Sequence, residues 1–393
     1  MKILIAVHTY YPDQNGVAMV TKYIAEGLAK NNEVFVLTET KGHYIREEVY
    51  KNVHIERINV NINMFGFQGE KKTYRKWIKN YNPDIFICVC TQTWTFDWIK
   101  TWISHIKCPK ILYTHGYSGY MEYYPIWDDL RKGKIRSFVY HLKWKCYYQK
   151  AYLYIKKFEL AIYLSENNNA VLYAQKYKLE NGMILENAVE DRVFEAAERK
   201  KIEWGEGTTV RYLYISNYDE NKNQEMVLRA FYELNTKNKQ LIFVGSQENE
   251  YLKKMIKIKN ELDQISGFHD VRMLSGLNRN EVVKIMQNSH IFVCSSQKEQ
   301  YPIVLCEAAV MGMPIITTNV GHAATIPGAL IINDQNEMIE KMQYLFDNRK
   351  ICEVLGEKNK VFSEQHYKIN KNIQELEKRI ETLNKFFKDE KKR

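Results

Sequence analysis

The sequence predicts an α/β protein built from two doubly wound domains and a C-terminal helix. Short β-branched or aromatic runs alternate with helical patterns along the chain. This alternation indicates parallel strands joined by helical crossovers, because a tight turn cannot connect parallel strands. The alternation starts afresh after a polar stretch near the middle of the chain, and a length of 393 residues suggests two or three domains of about 150 residues each.

The first domain is expected over residues 1–190. Its run Ile85-Phe86-Ile87-Cys88-Val89-Cys90 is apolar throughout, which is typical of a strand covered on both faces of a sheet. Helical patterns at 17–28 and 95–104 separate the strands. The candidate strands are 2–7, 33–37, 53–59, 84–90, 110–114 and 159–164.

The second domain is expected over residues 191–365, and the polar segment 192–209, which ends in Gly205-Glu206-Gly207, predicts a linker. Helical patterns follow at 224–234, 250–262, 280–287 and 302–311. The candidate strands are 210–215, 240–244, 271–274, 290–294, 314–317 and 330–332. The two domains are expected to face a common cleft with the carboxyl ends of their strands.

Residues 366–393 predict one amphipathic helix. Its apolar residues recur at alternating spacings of four and three, which places them in one stripe. Six positions are few for a heptad array, so packing back on the globule is favoured over a coiled-coil dimer. The stripe consists of Ile369, Ile373, Leu376, Ile380, Leu383 and Phe387.

The composition narrows the class of protein. With 45% hydrophobic residues, the chain has enough apolar surface to exclude disorder over most of its length. No run of 18 apolar residues occurs, and the short run at 1–7 lacks a cleavage site, so neither a transmembrane helix nor a signal peptide is predicted. Seven cysteines, mostly within apolar runs, indicate buried reduced thiols in a cytoplasmic protein. The net charge of +10 favours polyanionic partners.

The first strand leads through His8-Thr9-Tyr10-Tyr11-Pro12 into Gly16 and a helix. A glycine at a helix start lets backbone N–H groups approach an anion, although a plain strand-to-helix turn has the same sequence. The complete Gly-x-Gly-x-x-Gly spacing is absent, which disfavours a nicotinamide dehydrogenase.

The most informative segment is 295–308, directly after the strand predicted at 290–294. Pro302 suits the first turn of a helix, so Glu299 lies in the loop ahead of that helix and Glu307 more than a turn inside it. Two acids flanking unpaired N–H groups can hold a molecule with hydroxyls at both ends and phosphate in the middle, such as a nucleotide sugar. The alternative is an ordinary Glu near a helix start and a surface Glu.

Five motifs in order resemble the family-4 retaining glycosyltransferases of GT-B fold, a bacterial glycosyltransferase group 1 type. Glu299 and Glu307, with seven residues between them and Ala308-Ala309 following, are similar to the family's Glu-x7-Glu signature. The other four motifs are Pro12 to Gly16, Leu185-Glu186-Asn187-Ala188-Val189, Ile215-Ser216-Asn217 to Lys222-Asn223, and Leu241-Ile242-Phe243-Val244-Gly245. The resemblance spans nearly the whole chain.

The resemblance implies a role for each matching residue. Glu307 would hold the ribose hydroxyls of the donor, and Glu299 would contact the donor sugar and stabilise charge at the anomeric carbon. Lys222 would neutralise the diphosphate leaving group. His115, at the end of a strand, would contact the donor sugar near the reacting carbon; the alternative is a structural histidine, which is more common at a strand end. The other donor-binding positions are Gly16, Asn217, Gly245, Gln300, Tyr301, Pro302, Ile303 and Val304.

The sequence departs from the family pattern at four places. Asn15 and Ala188 each stand where the family has a glycine. Asn217 stands where an arginine is usual, so one charge partner of the diphosphate is missing. Either Asn217 donates a neutral hydrogen bond instead, weaker by roughly half, or Arg211 or another cation substitutes. Gly321-His322-Ala323-Ala324-Thr325 keeps one glycine and lacks the acid that follows in the family. The departures at Asn217 and at 321–325 concern the choice of donor and the rate more than the fold.

The predicted function is a retaining, metal-independent hexosyltransferase of polysaccharide biosynthesis at the cell envelope. It would use a UDP- or GDP-linked sugar, no cofactor, and a surface-glycan or lipid-linked acceptor bound by the first domain. Without an evident carboxylate nucleophile in that domain, substitution on the front face is expected. No Asp-x-Asp stands at a predicted strand end, so a metal-bridged diphosphate is not expected. A nucleotide-sugar epimerase and a non-catalytic nucleotide-sugar-binding protein remain as alternatives.

The segment 131–157 is basic and aromatic. It holds nine Lys or Arg residues, no Asp or Glu, and seven interleaved Phe, Tyr or Trp residues. Such a helix suits an anionic membrane surface, which predicts a cytoplasmic protein at the inner face of the cell membrane. The alternative is a solvated helix face with its aromatic rings packed inward. No RNA-binding signature accompanies the segment, so nucleic acid is not an expected partner.

Overall fold

The computed structural model describes residues 1–13, 15–40, 42, 45–63, 66–117, 120, 126–200, 205 and 207–392, with only the backbone for 126 and 392. Contacts between Cα atoms divide the chain into two compact units. Unit 1 comprises Met1–Glu186 with Asn370–Arg393, and unit 2 comprises Asn187–Ile369. Both are Rossmann-like, with helices crossing between parallel strands, and the predicted fold class is confirmed.

Unit 1 contains ten strands and seven helices within the described residues. The strands are β1 (Lys2–Ala6), β2 (Glu33–Glu39), β3 (Glu47–Tyr50), β4 (Val53–Ile58), β5 (Val60–Asn63), β6 (Gly66–Gly69), β7 (Ile85–Val89), β8 (Lys110–Tyr113), β9 (Leu160–Tyr163) and β10 (Gly182–Ile184). The helices are α1 (Gly16–Leu28), α2 (Lys71–Tyr81), α3 (Trp94–Asp97), α4 (Ile126–Arg131), α5 (Ile135–Ile155), α6 (Asn169–Lys176) and the C-terminal α14 (Ile369–Lys392).

Eight of these strands form one sheet in the order β10-β9-β8-β7-β1-β2-β4-β3. All neighbours pair in parallel except β3 with β4. Every residue of β7 is buried, as the apolar run predicts for a strand covered on both faces. The antiparallel hairpin β5–β6 stands outside the sheet, and its strands of four residues each contain no continuous apolar run.

The helix predicted at 95–104 is wrong. Only the short helix α3 and a 3₁₀ turn at Ile103–His105 form there. Trp94, Phe96, Trp98 and Ile99 are all buried in the aromatic core of unit 1. Because apolar side chains point to every side of the segment, packing of the core, and not one amphipathic face, decides its backbone.

The C-terminal helix α14 packs on unit 1. Ile373, Leu376 and Ile380 of its apolar stripe are buried. A Cβ atom added to Gly27 of α1 would lie 2.5 Å from Cγ1 of Ile373, so the glycine permits the two helices to approach closely. The charged side chain of Lys388 adds an ion pair with Asp84, with 3.2 Å between nitrogen and oxygen.

Unit 2 contains six strands and seven helices within the described residues. The strands are β11 (Val210–Ile215), β12 (Lys239–Gly245), β13 (Asp270–Ser275), β14 (Ile291–Cys294), β15 (Ile315–Thr318) and β16 (Ala329–Ile332). The helices are α7 (Asp191–Glu198), α8 (Gln224–Glu233), α9 (Glu250–Ser266), α10 (Arg279–Gln287), α11 (Ile303–Val310), α12 (Gln335–Asp347) and α13 (Arg349–His366).

The six strands form one fully parallel sheet in the order β13-β12-β11-β14-β15-β16. Its helices begin at well-formed caps: Asn278 caps α10 in a capping box with Glu281, and Asn249 accepts a hydrogen bond from the N–H of Leu252 at the start of α9. The chain order places β11, β12 and β14 side by side, so the loops that follow them share one edge.

The linker predicted at 192–209 is wrong at its start. Residues 191–198 form helix α7, and Val193, Ala196 and Ala197 are its buried face. Their spacing of three and one residues places them on one face of a helix. The linker was predicted because the segment as a whole is polar. Residues 201–204 and 206 of the predicted linker lie outside the described residues.

All seven cysteines are free, and five are buried. The prediction of buried thiols is wrong for Cys146, which lies on the exposed side of α5, and Cys90 is only partly buried because β7 ends at Val89. Within the ranges given above, no helix is long and apolar enough to span a membrane.

Candidate functional site

Four predicted site residues of unit 2 lie where its central strands end. Asn217 and Lys222 follow β11, Gly245 is the last residue of β12, and Glu299 follows β14. These strands are neighbours in the order β12-β11-β14. The carboxyl edge of a parallel sheet is where α/β folds bind ligands, so the sheet topology brings these residues to a suitable place.

Lys222 and Glu299 form an ion pair between Nζ and Oε1, with 22% and 18% of their side chains exposed. Lys222 closes a 3₁₀ turn whose first residue is preceded by Asp219, and Oδ1 of Asp219 accepts a hydrogen bond of 2.8 Å from the N–H of Asn221. The hydroxyl of Tyr214 in β11 donates a bond of 2.6 Å to the carbonyl of Lys222. Hydrogen bonds therefore hold the backbone of Lys222 in place, in addition to the ion pair of its side chain.

The loops after β11 and β14 are joined by further hydrogen bonds. The hydroxyl of Ser295 donates to the carbonyls of Lys222 (3.0 Å) and Asn223 (2.7 Å), and Ser295 is fully buried. The N–H of Gln297 donates to the carbonyl of Asn221 at 2.7 Å. Asn221 in return donates through Nδ2 to the carbonyl of Lys298 at 2.9 Å. These bonds fix the positions of the two loops without any ligand.

Helix α11 begins one residue later than predicted. Pro302 has extended backbone angles and is the N-cap residue, so its missing N–H removes no hydrogen bond and Ile303 is the first helical residue. The N–H groups of Ile303 and Val304 belong to the first turn, which has no acceptors inside its own helix. Gln300 stands just ahead of this turn, with its side chain partly buried.

The ring of Tyr301 points into unit 2. It is 5% exposed and stacks on the ring of His322, with 3.6 Å between centroids and 7° between planes. The carbonyl of Tyr301 accepts a bond of 3.3 Å from Nδ2 of Asn187. Any contribution of Tyr301 to ligand binding at this edge therefore has to come from its backbone.

The stacking also explains the departure at Gly321-His322. Gly321 has a φ of 56°, and a Cβ atom there would lie 2.8 Å from Cδ of Pro302. His322 fills the space behind Tyr301, and its Nε2 lies 3.3 Å from Sγ of Cys306. Burial lowers the pKa of His322 to about 3, so its ring is neutral.

Glu307 lies inside α11 and is 5% exposed. Its two carboxylate oxygens meet the guanidinium of Arg279: Nη2 pairs with Oε1, and Nη1 lies 3.4 Å from Oε2. Nε of Arg279 lies 3.2 Å from Oε2 of Glu190, which also pairs with Arg192 at 3.1 Å. Burial acts to lower the pKa of Arg279, but the carboxylates of Glu307 and Glu190 outweigh it and raise that pKa above its usual value.

Three residues of this site were not among those predicted from the sequence: Arg279, Glu190 and His322. Arg279 is the first residue of α10 and lies 28 positions before Glu307, so no short spacing connects them. Only the sequence signal of Asn278 with Glu281, a capping box, could have placed Arg279 at the start of a helix beyond the end of β13.

Asn217 and Gly245 lie next to each other. The hydroxyl of Ser246 donates a bond of 2.7 Å to Oδ1 of Asn217. A Cβ atom on Gly245 would lie 2.4 Å from two ring carbons of Tyr218, so this glycine makes room for an aromatic ring. Arg211 cannot replace the arginine that Asn217 lacks: it is the second residue of β11, at the opposite edge of the sheet, and binds the carbonyl of Asn288 at 3.1 Å.

Gly16 and His115 belong to unit 1. Gly16 is the first residue of α1, whose N-cap Asn15 accepts a bond of 3.0 Å from the N–H of Ala18. His115 follows β8, has a φ of 49°, and has an Nε2 atom that is buried without a hydrogen-bond partner in the described part of the chain. Burial, with His8 nearby, lowers the pKa of His115 to about 3, so the ring is neutral.

Among the residues that the structure describes, no three His, Cys, Asp or Glu side chains converge as a metal site requires. The site of unit 2 thus consists of one ion pair, one Arg–carboxylate pair and the amide groups at the start of α11.

Residues 195–362 match the family model described as glycosyl transferases group 1. The matched residues lie within unit 2. A trehalose synthase of Pyrococcus horikoshii is 26% identical over 152 residues, which are 37% of this chain and 36% of that protein. The chain thus matches only about a third of the length of that curated relative.

Several solved structures resemble the chain over almost its whole length. Sucrose-phosphate synthase of Thermosynechococcus elongatus has a TM-score of 0.72 at 13% identity, covering 97% of this chain and 98% of that one. The Anabaena protein HepE, in complex with UDP and glucose, has a TM-score of 0.72 at 14% identity, covering 98% and 100%. At such identities the likeness shows the fold, which is GT-B: two Rossmann-like units with parallel sheets.

Proposed function

We propose that this chain is a retaining glycosyltransferase that moves a sugar from a nucleotide diphosphate sugar to a glycan or lipid-linked acceptor, without a metal ion. Unit 2 is the proposed donor-binding unit and unit 1 the proposed acceptor-binding unit, to which Gly16 and His115 contribute. The group 1 domain in unit 2 supports a transferase, and the nucleotide bound to HepE supports a nucleotide donor.

The observation that carries the proposal is the ion pair of Lys222 with Glu299 beside the first turn of α11. A nucleotide sugar needs a cation and N–H donors for its diphosphate and a hydrogen-bond acceptor for its sugar hydroxyls. Lys222, the amides of Ile303 and Val304, and Glu299 supply these groups at one edge of the sheet.

In the proposed reaction, the bond from the anomeric carbon to the diphosphate oxygen breaks, and the acceptor oxygen bonds to that carbon on the same face. The departing phosphate oxygen takes the proton of the acceptor hydroxyl. Negative charge grows on the diphosphate as the bond breaks, and Lys222 stabilises it more in the transition state than in the ground state. Glu299 then interacts with the positive charge that develops at the anomeric carbon.

Thermal unfolding with a panel of UDP-, GDP- and ADP-sugars tests the donor. A ligand at about 100 times its dissociation constant adds about 2.7 kcal/mol of stability, which raises the melting temperature measurably. In calorimetry, Glu307→Ala should weaken binding of the selected donor. Stabilisation by no nucleotide sugar, or an unchanged affinity of the variant, would count against the proposal and against the role of Glu307 respectively.

Product analysis separates transfer from the two other readings. Transfer requires an acceptor and releases a nucleoside diphosphate. An epimerase would convert the donor into its isomer without an acceptor, and a non-catalytic protein would bind the donor and leave it intact. Lys222 and Glu299, which hold each other at the predicted site of bond cleavage, favour the enzyme.

We further propose that α4 and α5 attach the protein to an anionic lipid surface. All nine cations of 131–157 are exposed. The buried residues of α5 are Tyr148, Ala151 and Ile155, so its fully buried positions lie in its second half only. In its first half, Ile135 (64%), Val139 (57%) and Leu142 (37%) are exposed at spacings of four and three residues, which is one apolar stripe among the cations.

A further inference from the structure

Arg279 occupies a central position between two carboxylates of unit 2. It touches both oxygens of Glu307 through Nη1 and Nη2, and Oε2 of Glu190 through Nε. All three nitrogens of the guanidinium thus face acids, and 23% of the side chain remains exposed. Such a fork of parallel N–H donors fixes the plane and the direction of a carboxylate, which a lysine ammonium cannot do.

The carboxylate of Glu307 needs this partner. Glu307 is 5% exposed, and burying a charge costs free energy unless a charged, hydrogen-bonded partner offsets the lost contacts with water. An ionised carboxylate offers about four lone-pair positions. The contacts with Arg279 use one position on each oxygen, which leaves one on each oxygen for another donor.

We propose that Arg279 is the positioning residue of the donor ribose: its guanidinium holds the Glu307 carboxylate turned so that both oxygens accept from the 2′- and 3′-hydroxyls. Glu190 orients Arg279 from the other side. The proposal rests on the proposed function, since it requires a ribonucleotide at this edge. It extends the ribose site beyond α11 to two residues that lie far from Glu307 in sequence.

Calorimetry with two probes tests this role, using UDP and 2′-deoxy-UDP, or the GDP or ADP pair if the thermal panel selects that base. We expect the wild type to bind the ribonucleotide roughly ten- to hundredfold more tightly than its deoxy analogue, because the carboxylate of Glu307 loses a hydrogen bond with the latter. Arg279→Gln should reduce this ratio to about twofold or less, and Arg279→Lys should restore only a small part of it. Glu190→Gln should reduce the ratio less than Arg279→Gln.

The ratio of two affinities is independent of the fraction of correctly folded protein, so a merely structural loss would leave it unchanged. The matched control is Arg272→Gln, which removes an exposed arginine paired with Asp270 at 3.4 Å and should keep the wild-type ratio. A wild-type ratio in folded Arg279→Gln would overturn the role of Arg279 alone. If no nucleoside diphosphate binds to the wild type at all, the proposed function fails and this inference fails with it.

Discussion

Lys222 and Glu299 lie 77 residues apart in the chain and form an ion pair between the two loops that follow β11 and β14. Four backbone carbonyls, those of Lys222, Asn223, Asn221 and Lys298, accept the hydrogen bonds that join these loops. These bonds hold the backbones of both loops, so the charges of Lys222 and Glu299 already lie together. Electrostatic stabilisation works best when the charges are already in place.

Lys222→Met tests the contribution of this cation. We expect turnover to fall roughly tenfold or more, because the charge that grows on the leaving diphosphate loses its partner. Methionine keeps most of the length of the side chain, so the fold should persist. Steady-state rates with the selected donor and acceptor measure the effect, and an unaltered turnover would refute the role.

A second lysine provides the control for Lys222→Met. Lys254 pairs with Glu225 at 3.2 Å in the same unit but on α9 and α8, with half of its side chain exposed. Lys254→Met should leave turnover within twofold of the wild type. A similar loss of turnover in both variants would assign the effect to general charge and not to the pair at the edge of the sheet.

Gly245→Ala should destabilise unit 2 by about 1–3 kcal/mol. The new Cβ would lie 2.4 Å from the ring of Tyr218, and this ring cannot easily move because its hydroxyl donates a bond of 3.0 Å to the carbonyl of Leu274. Urea unfolding followed by far-UV circular dichroism measures the change in the free energy of unfolding.

Two further variants test whether the ring of Tyr218 causes the loss of stability in Gly245→Ala. Gly205→Ala should have little effect, because the nearest atom to its new Cβ, Oγ1 of Thr208, lies 3.6 Å away. In the double variant Gly245→Ala with Tyr218→Leu, the smaller side chain makes room, so the two losses should not add. Strict additivity would show that the ring is not what the methyl group meets.

The neutral ring of His115 predicts a dependence of stability on acid. Its pKa is about 3 in the folded chain, against a usual value of 6.5. Between these values the unfolded chain binds a proton that the folded chain does not, so the free energy of unfolding falls as the pH drops below about 6.5. At pH 5, this one group accounts for a loss of about 2 kcal/mol relative to pH 7 or above.

His115→Asn should remove that part of the slope. Asparagine tolerates the left-handed backbone, a φ of 49°, so the comparison does not introduce strain. Urea unfolding at pH 5, 6 and 7.5 compares the slopes, and the exposed His105 supplies the control variant His105→Asn. A slope equal to that of the wild type in His115→Asn would show that the ring is not buried in its neutral form.

The sheets could be predicted from sequence because their strands are short, apolar and separated by helical patterns. The strand predicted at 210–215 agrees with β11 in both bounds. The strands β3, β5 and β6 could not be predicted this way, since each has only four residues without a continuous apolar run and depends on a neighbour, as β3 depends on its antiparallel pairing with β4. Edge strands and hairpins of this kind are stabilised by cross-strand contacts, which a single segment does not show.

The residues that contact Glu307 and Tyr301 could not be predicted from the sequence for a similar reason. Glu307 and Lys222 could be placed near strand ends by motif, but Arg279 reaches Glu307 only because α10 and α11 follow strands of one sheet. His322 replaces a residue that is glycine in the resembling family, and its stacking on Tyr301 depends on a turn at Gly321. Such pairs are decided by tertiary packing and leave no local period.

The exposed stripe on α5 predicts binding to anionic vesicles. Each Lys or Arg near such a surface contributes about 1 kcal/mol at low salt. The triple variant of Arg136, Lys143 and Lys145 to Gln should therefore bind phosphatidylglycerol vesicles about a hundredfold more weakly than the wild type. Co-sedimentation at low salt measures the bound fraction, with phosphatidylcholine vesicles as the neutral surface.

The control variant loses the same number of positive charges from a different helix. Lys253, Lys254 and Lys257 are exposed on α9 of unit 2, and their triple replacement by Gln should leave vesicle binding close to that of the wild type.

Val139→Ser separates the apolar from the cationic contribution to vesicle binding. It keeps every charge and should lower the fraction of protein that stays bound at high salt, where electrostatic attraction is screened. Equal loss in both triple variants would reduce the effect to overall charge, and absence of binding to anionic vesicles at low salt would exclude the lipid surface. Tighter binding to single-stranded nucleic acid than to vesicles would assign the cations of α5 to a different polyanion. Contacts with phosphate groups alone do not distinguish nucleic acid from lipid, whereas the apolar side chains of Val139 and Leu142 favour lipid.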